Sequence, residues 1–578
     1  METEKTWKKL AAEKRRKRDL LIPKDWLLPN PPSPDQLDVT QVPEKSGILS
    51  QKEIEITNAP IEILLANIAS TSWSAVEVTT AFSKRAIIAH QLTNCLTEIF
   101  IDRALQRAAW LDKELETTGK VVGPLHGLPI SLKDQVCVKG TEHTIGRVAE
   151  RNSVLADILE SQGAVLYVKT NLPQTIMWPE AYNHIFGRTA NPYNRSLTTG
   201  GSSGGEGALI ALNGSPLGVG SDLGGSIRIP SAFTGLYGFR PSFNRVPYAG
   251  CVDTLEGQEA ILSVLGPMCS SMEGIKLFMK NVISAQPWNS DPMILRMKWS
   301  EDAYRLAEHG NGKHLCFGIL WHDKITFPHP PVFRALEIVK IIDWEPYKHL
   351  EICESTPRIF SAAGAEEFLA DLASTGEPLM RSMQQEPDEP VQWPQQKGQV
   401  EVPTVRPNYT KPLTAYELWH LHKVRRELRR EYLEHWQATI SKTGTGRPVD
   451  AIIAPVAPFV APPHGMNKFA VYTATWNNLD YPALVIPVTK TDPRLDVKKP
   501  PHRFFSDVDK VMYEFCEYYW ILEVALFLRV LDDPNRFANA PVAVQIVGRT
   551  QEDEAVIGMA EIVDRAVREA GAGSQCKL

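Results

Sequence analysis

The chain has no CxxC pair and no cluster of cysteines. Its eight cysteines, at 95, 137, 251, 269, 316, 353, 516 and 576, are scattered. That pattern argues against a zinc site or a disulfide framework and fits a reducing compartment, so a cytoplasmic protein is expected. No sign of charge dominates: 62 Lys and Arg stand against 68 Asp and Glu, for a net charge of −6. This gives no electrostatic case for nucleic acid or an anionic membrane as a partner. No apolar run is long enough to span a bilayer. The most membrane-like stretch, residues 518–528, is short and carries Glu523, with Arg529 just after it. No internal repeat is present, and no secretory signal is expected, because the first 21 residues are charged throughout. The basic run within them (Lys8, Lys9 and residues 14–18) is read as a solvated helix face rather than a nuclear or RNA-binding segment.

Apolar periodicity predicts helices near 60–69, 74–91 and 101–117 and short strands at 128–132 and 164–168, with a helix over 153–160 between the strands. Further strands are expected at 217–219, 315–319, 451–454, 483–488 and 541–547, and helices at 208–212, 413–436 and 552–570. A helix start is expected within 225–233, although Pro230 lies close. Alternating strands and helices imply an α/β fold with a mixed or mostly parallel sheet covered by helices on both faces. Residues 384–412, rich in Pro, Gln and Glu, read as a surface loop. His420 and His422 are two apart on a helical pattern and face different sides, so no shared metal is expected. The last three residues, Cys576, Lys577 and Leu578, are a variant of the Ser-Lys-Leu peroxisomal address, which makes the peroxisome the alternative location.

The densest signal is a pair of glycine- and serine-rich turns. Residues 200–207 read GGSSGGEG, and residues 221–230 read SDLGGSIRIP. Upstream, residues 127–134 (GLPISLKD) end a short apolar run on Lys133. In this combination the chain resembles the amidase signature family of serine hydrolases. Similarity to its fungal acetamidase-like branch extends through Trp26, residues 182–189, 475–482 and 539–549, and a gap-free match over 171–230. The resemblance implies one large amidase-signature-type domain at 59–578 behind an N-terminal helical arm at 1–58.

It also implies a chemistry: hydrolysis of a carboxylic amide by a Ser–cis-Ser–Lys group through a covalent acyl-serine. Ser226 matches the nucleophile, and the backbone amides of Leu223, Gly224, Gly225 and Ser226 match the oxyanion hole. Lys133 matches the base. A free lysine titrates near ~10.4, so the fold must remove it from water to make it a proton acceptor near neutrality, at roughly 4 kcal/mol of differential destabilisation. Ser202, preceded by a cis peptide bond at Gly201, would pass protons between Ser226 and Lys133. Ile176 and Met177 match the substrate-binding face. Ser203 and Asp222 are expected to orient the loop, and Arg228 to tie the turn and help depress the base. The substrate is a small-molecule amide, with no cofactor, metal, nucleic acid or membrane in the chemistry; a homodimer is compatible with the reading.

Three places depart from the family pattern. The chain is short between Arg147 and Ser153, a helix–turn is missing between Ala335 and Trp344, and 511–531 is an apolar insertion that reads as translated intron. An inactive or defective chain, or an ammonia-generating amidotransferase subunit sharing the signature, are therefore alternatives. Two further readings come from the first glycine cluster alone. One is a phosphate cradle, which lacks the Gly-Lys-Ser/Thr ending of a P-loop. The other is a GxSxG elbow with Ser203 as nucleophile, which needs a downstream acid and histidine.

Overall fold

The short apolar runs become the strands of one eleven-stranded sheet. In chain order they are β1 (Leu96–Ile99), β2 (Pro129–Lys133), β3 (Val165–Thr170), β4 (Leu217–Asp222), β5 (Tyr237–Arg240), β6 (Val264–Cys269), β7 (Phe317–Ile319), β8 (Ile342–Asp343), β9 (Ala451–Pro455), β10 (Ala483–Lys490) and β11 (Pro541–Val547). Their spatial order is β1-β3-β2-β4-β6-β5-β10-β11-β9-β7-β8. The computed structural model describes residues 2–144, 148–337, 342–380, 412–497, 499–518 and 537–571.

The sheet is mixed, the first of the two forms expected. Four pairings, β2 with β3 and β4 and β7 with β8 and β9, are parallel. The other six are antiparallel. A parallel pair needs a crossover, and the helix Val154–Ser161 supplies one between β2 and β3. Strands alternate their side chains between two packed faces. On β9, Ile453 joins one hydrophobic core, whereas Ile452 and Ala454 join the other. Both faces are therefore covered, which is why the strands are continuous apolar runs.

The helices form where the periodicity placed them, at Ile61–Ala69, Ala75–Thr93, Ile101–Thr118, Ala415–Gln437 and Asp553–Gly571. Local chemistry sets their ends. Ser74 accepts from the Glu77 N–H while the Glu77 carboxylate accepts from the Ser74 N–H, and Thr414 and Glu417 repeat the device. Gly119 ends the helix Ile101–Thr118 with a left-handed φ of 66°.

The N-terminal helix Glu2–Leu20 is not the solvated basic segment expected. Trp7, Ala11, Lys14 and Arg18 recur on one helical face and turn toward the domain. Arg18 donates to the Leu96 carbonyl on edge strand β1 at 2.9 Å. Lys14 pairs with Glu98 and, at 2.6 Å, with Glu142, and Arg15 donates to the Ile185 carbonyl. Burial pulls the Lys14 ammonium down, and the two carboxylates outweigh it and raise it. Lys8, Lys9, Arg16 and Lys17 are exposed. The arm thus covers an edge of the sheet with charged pairs.

The loop read at 384–412 lies outside the described residues except for Pro412, as does the C-terminal Cys576, Lys577 and Leu578. So do residues 145–147 and 338–341, next to two of the departures, and 519–531 of the third. The described start of that third segment belongs to the helix Asp507–Tyr518, where Val508 and Met512 are buried in the second core. Asp509 anchors this helix, accepting from the Phe327 N–H at 2.8 Å and the Phe505 N–H at 3.0 Å. Among the described residues no helix is long and apolar enough to cross a membrane. Nor does any group of three His, Cys, Asp or Glu there have a metal-holding arrangement, and His420 and His422 are exposed.

Met512 gives a direct check on residues 511–518. Met512→Ala is expected to lower stability by about 2–5 kcal/mol, the usual cost of emptying a buried methionine site. An unchanged denaturation midpoint would mean that this helix packs against nothing that matters.

Candidate active site

The parallel strands β2 and β4 end side by side, with Leu132 opposite Val219. Lys133 is the last residue of β2, and Ser221 and Asp222 are the last two of β4. The carboxyl ends of adjacent parallel strands are where an open α/β sheet offers a crevice. Lys133 has no solvent exposure. Its Nζ donates to Ser202 Oγ at 2.5 Å and to Ser221 Oγ at 2.8 Å. Burial pulls its pKa down to about 7, against the opposing pull of Asp253, Asp222 and Glu206. Arg228 has no part in that shift, contrary to expectation, because its charge is matched by Asp222.

Ser202 is fully buried and follows a cis peptide bond at Gly201–Ser202. Gly201 has no alternative at its position: a Cβ there would lie 2.5 Å from the Glu180 backbone nitrogen. Ser203 points elsewhere. It is buried, its Oγ donates to the Ser221 carbonyl and accepts from the Ser221 N–H, both at 3.3 Å, and its own N–H donates to the Ser226 carbonyl at 3.1 Å. This leaves Ser203 no access to a ligand, so the elbow reading fails on geometry. Glu206, on the helix Gly204–Ala211, accepts from Ser131 at 2.6 Å and Thr170 at 2.9 Å, binding that helix to β2 and β3. Burial lifts its carboxyl to about 8.

The turn carrying Ser226 is organised by Asp222. Its carboxylate accepts from the Gly225 N–H at 2.9 Å and the Ile227 N–H at 3.2 Å, and from Asn477 at 2.8 Å. Arg228 reaches both oxygens, through Nε and Nη2, at 3.0 Å each. Burial alone would raise this carboxyl; the Arg228 guanidinium overrides it and holds it at about 2. Arg228 in turn donates to Gln545 at 3.1 Å and to Asn477. Thr473 Oγ1 donates to the Gly224 carbonyl at 2.6 Å. Gly225 sits at φ 129°, and a Cβ on it would meet Thr473 Oγ1 at 2.2 Å, so only glycine fits.

One detail corrects the expected oxyanion set. The Gly225 N–H is already engaged by Asp222 and serves the turn. Among the described residues, the N–H groups of Leu223, Gly224 and Ser226 have no such commitment. These three residues, with Ile176, Met177 and Gly201, line a pocket of about 50 Å³. Ser226 is half-buried at its wall. Ile176, at φ 63°, also lines a second cavity of about 290 Å³, whose far wall includes Trp7, Leu10 and Ala11 of the N-terminal helix.

Several residues of this centre had no role in the sequence reading. Ser221, Gln135 and Glu206 lie inside the quoted motifs or two positions from Lys133, so proximity was the available signal. Asn477 stood only in a block of resemblance. Gln545 likewise stood only in a block of resemblance; Tyr248, Asp253 and Thr473 carry no local signal at all, and only the fold brings them to the site.

A family model described as Amidase matches residues 77–557. Acetamidase from Aspergillus oryzae is 38% identical over 576 residues, covering 97% of this chain and 98% of that protein. A putative amidase, kk1C, from Curvularia clavata is 41% identical over 574 residues, covering 97% and 98%. Among solved structures, a fatty acid amide hydrolase superposes with a TM-score of 0.83 at 30% identity, covering 96% of this chain and 94% of that one.

The Asp222–Arg228 pair is fully buried on both sides. Arg228→Met is expected to cost about 3–5 kcal/mol, because it strands a carboxylate in a site with no water. Chemical denaturation measures this, and a loss below about 1 kcal/mol would show that the pair does not hold the turn.

Proposed function

The chain belongs to the amidase family and is a hydrolase of amide C–N bonds, and we propose that it works through an acyl intermediate on Ser226, with Ser202 and Lys133 as the proton path. The observation that carries this reading is the contact between Lys133 Nζ and Ser202 Oγ at 2.5 Å, made by a lysine that burial has brought to about 7. Near neutrality such a group is a fair proton acceptor and, once charged, a fair donor.

The steps balance on these residues. Ser226 Oγ attacks the amide carbon as its proton passes to Ser202, while the Ser202 proton passes to neutral Lys133. The negative charge that develops on the carbonyl oxygen meets the N–H groups of Leu223, Gly224 and Ser226. Collapse of the tetrahedral species breaks the C–N bond. Ser202 gives its proton to the leaving nitrogen and is replenished from the Lys133 ammonium. Water then attacks the acyl-serine along the same proton path and releases the carboxylate. Asp222, Arg228 and Ser203 hold the loops and touch no reacting atom.

The pocket beside Ser226 supports a small acyl group. A cavity of about 10–15 Å³ on the same kind of measure holds one water, so about 50 Å³ takes roughly four heavy atoms. Acetamide has that many, in keeping with the name of the Aspergillus oryzae relative. Larger amides would have to displace Ile176 toward the second cavity.

Purified protein is expected to release ammonia from acetamide and to slow as the acyl chain lengthens. Ser226→Ala should lose at least about 10³-fold in rate, and a fluorophosphonate should label Ser226 in the intact protein. Labelling at Ser203 instead, or undiminished activity in Ser226→Ala, would sink the assignment. The rate should rise with pH through about 7 and level off above it, since Lys133 accepts a proton only when neutral and is charged below that value. A profile flat from pH 5 to 9 would exclude Lys133 as the base.

A further inference from the structure

Lys133 can serve as a base only if its lone pair faces Ser202, and its second partner decides whether it does. A neutral amine has two protons and one lone pair. If Ser221 donated to Nζ, that lone pair would be occupied and Ser202 could not be deprotonated. Ser221 has a single hydroxyl proton, and Gln135 Oε1 takes it at 2.6 Å. Ser221 can therefore only accept from Lys133, at 2.8 Å.

The direction of that hydroxyl is inherited from further out. Gln135 turns its oxygen toward Ser221 because its Nε2 has two acceptors on the other side. These are the Tyr248 hydroxyl oxygen at 2.7 Å and the Val252 carbonyl at 3.2 Å. The Tyr248 oxygen can only accept there, because its own proton goes to Asp253 Oδ2 at 2.8 Å. Asp253 is held by the Thr254 N–H on its other oxygen at 2.7 Å. Burial raises the Asp253 carboxyl, against its hydrogen bonds from Tyr248 and Thr254; in its ionised form it accepts and never donates, and it then sets one proton order along the whole chain from Asp253 to Lys133.

We propose that Asp253 and Tyr248, acting through Gln135 and Ser221, are positioning residues that keep the Lys133 lone pair directed at Ser202. This rests on the reading of Lys133 as the base. The carboxylates facing Lys133 are Asp253 first, then Asp222, which Arg228 neutralises, and Glu206. Asp253 faces Tyr248, Cys251, Lys133 and Glu367. Its carboxylate favours the lysine ammonium, so it has a second, separable effect on the pH dependence.

Two variants of the full chain test this, assayed on acetamide across pH 5–9 with melting temperature measured alongside. Asp253→Asn removes the charge and allows the amide end of the chain to reverse. The acid limb should move to lower pH, since an anion that stabilised the ammonium is gone, and plateau kcat should fall. Tyr248→Phe removes one oxygen and leaves the charge. Its kcat should fall about tenfold, with KM and the acid limb unchanged. The double variant should be no slower than the slower single one, because both act through one chain. Should Asp253→Asn fail to fold, Tyr248→Phe decides alone. A wild-type plateau kcat in Asp253→Asn or in Tyr248→Phe overturns the inference while Lys133→Ala remains inactive. Wild-type activity in Lys133→Ala would instead overturn the assignment of the base itself.

Discussion

Everything at the centre of this molecule depends on keeping one lysine dry. An ammonium in water is a poor base at neutral pH, and no neighbouring cation depresses Lys133; the carboxyl groups facing it favour its protonation wherever they are ionised. Exclusion of water is the only influence pulling the other way. That explains why the residue stands at the end of β2, with β3 and β4 on either side and helices over both faces. A site on an exposed loop could place the same three side chains, yet its lysine would stay charged. The sheet thus contributes to the chemistry by what it keeps out as much as by what it positions.

The second requirement is that the turn carrying Ser226 be rigid. Asp222 meets it from beneath, gathering backbone N–H groups of the turn around one carboxylate and matching its charge with Arg228. The two buried acids at the site show how environment separates identical chemistry. Asp222, paired with a guanidinium, is held at about 2, whereas Glu206, bonded mainly to two hydroxyls, is lifted to about 8. One is a fixed charge near neutral pH; the other is chiefly a neutral acid joining a helix to two strands.

Much of this was legible in the chain. Apolar runs of three to seven residues located seven of the eleven strands because both faces are buried, and apolar periodicity located the main helices. Lys133, Ser202 and Ser226 stood in dense motifs, and the structure gathers Lys133 and Ser202 into hydrogen-bond contact with Ser226 on the turn beyond. Parallel and antiparallel pairing was not legible, since strand order depends on contacts between distant segments. The role of the basic arm was misjudged for a related reason. Lys14 and Arg18 look like surface charges until Glu98, Glu142 and the Leu96 carbonyl are placed opposite them. Tyr248, Asp253 and Thr473 could not be found by motif, because their meaning comes from the partners the fold supplies.

The turn at 222–228 is fastened by Asn477 and Gln545, which enter the chain some 250 and 317 residues after the groups they hold. A ribosome that has passed Arg228 has therefore made the Ser226 turn but not its supports. The centre can take shape only once β11 has been synthesised and slotted between β10 and β9. Partial chains, whether nascent or cut, carry the serines and the lysine without the geometry that couples them. Competence in this protein is thus acquired only after the chain has been made through β11.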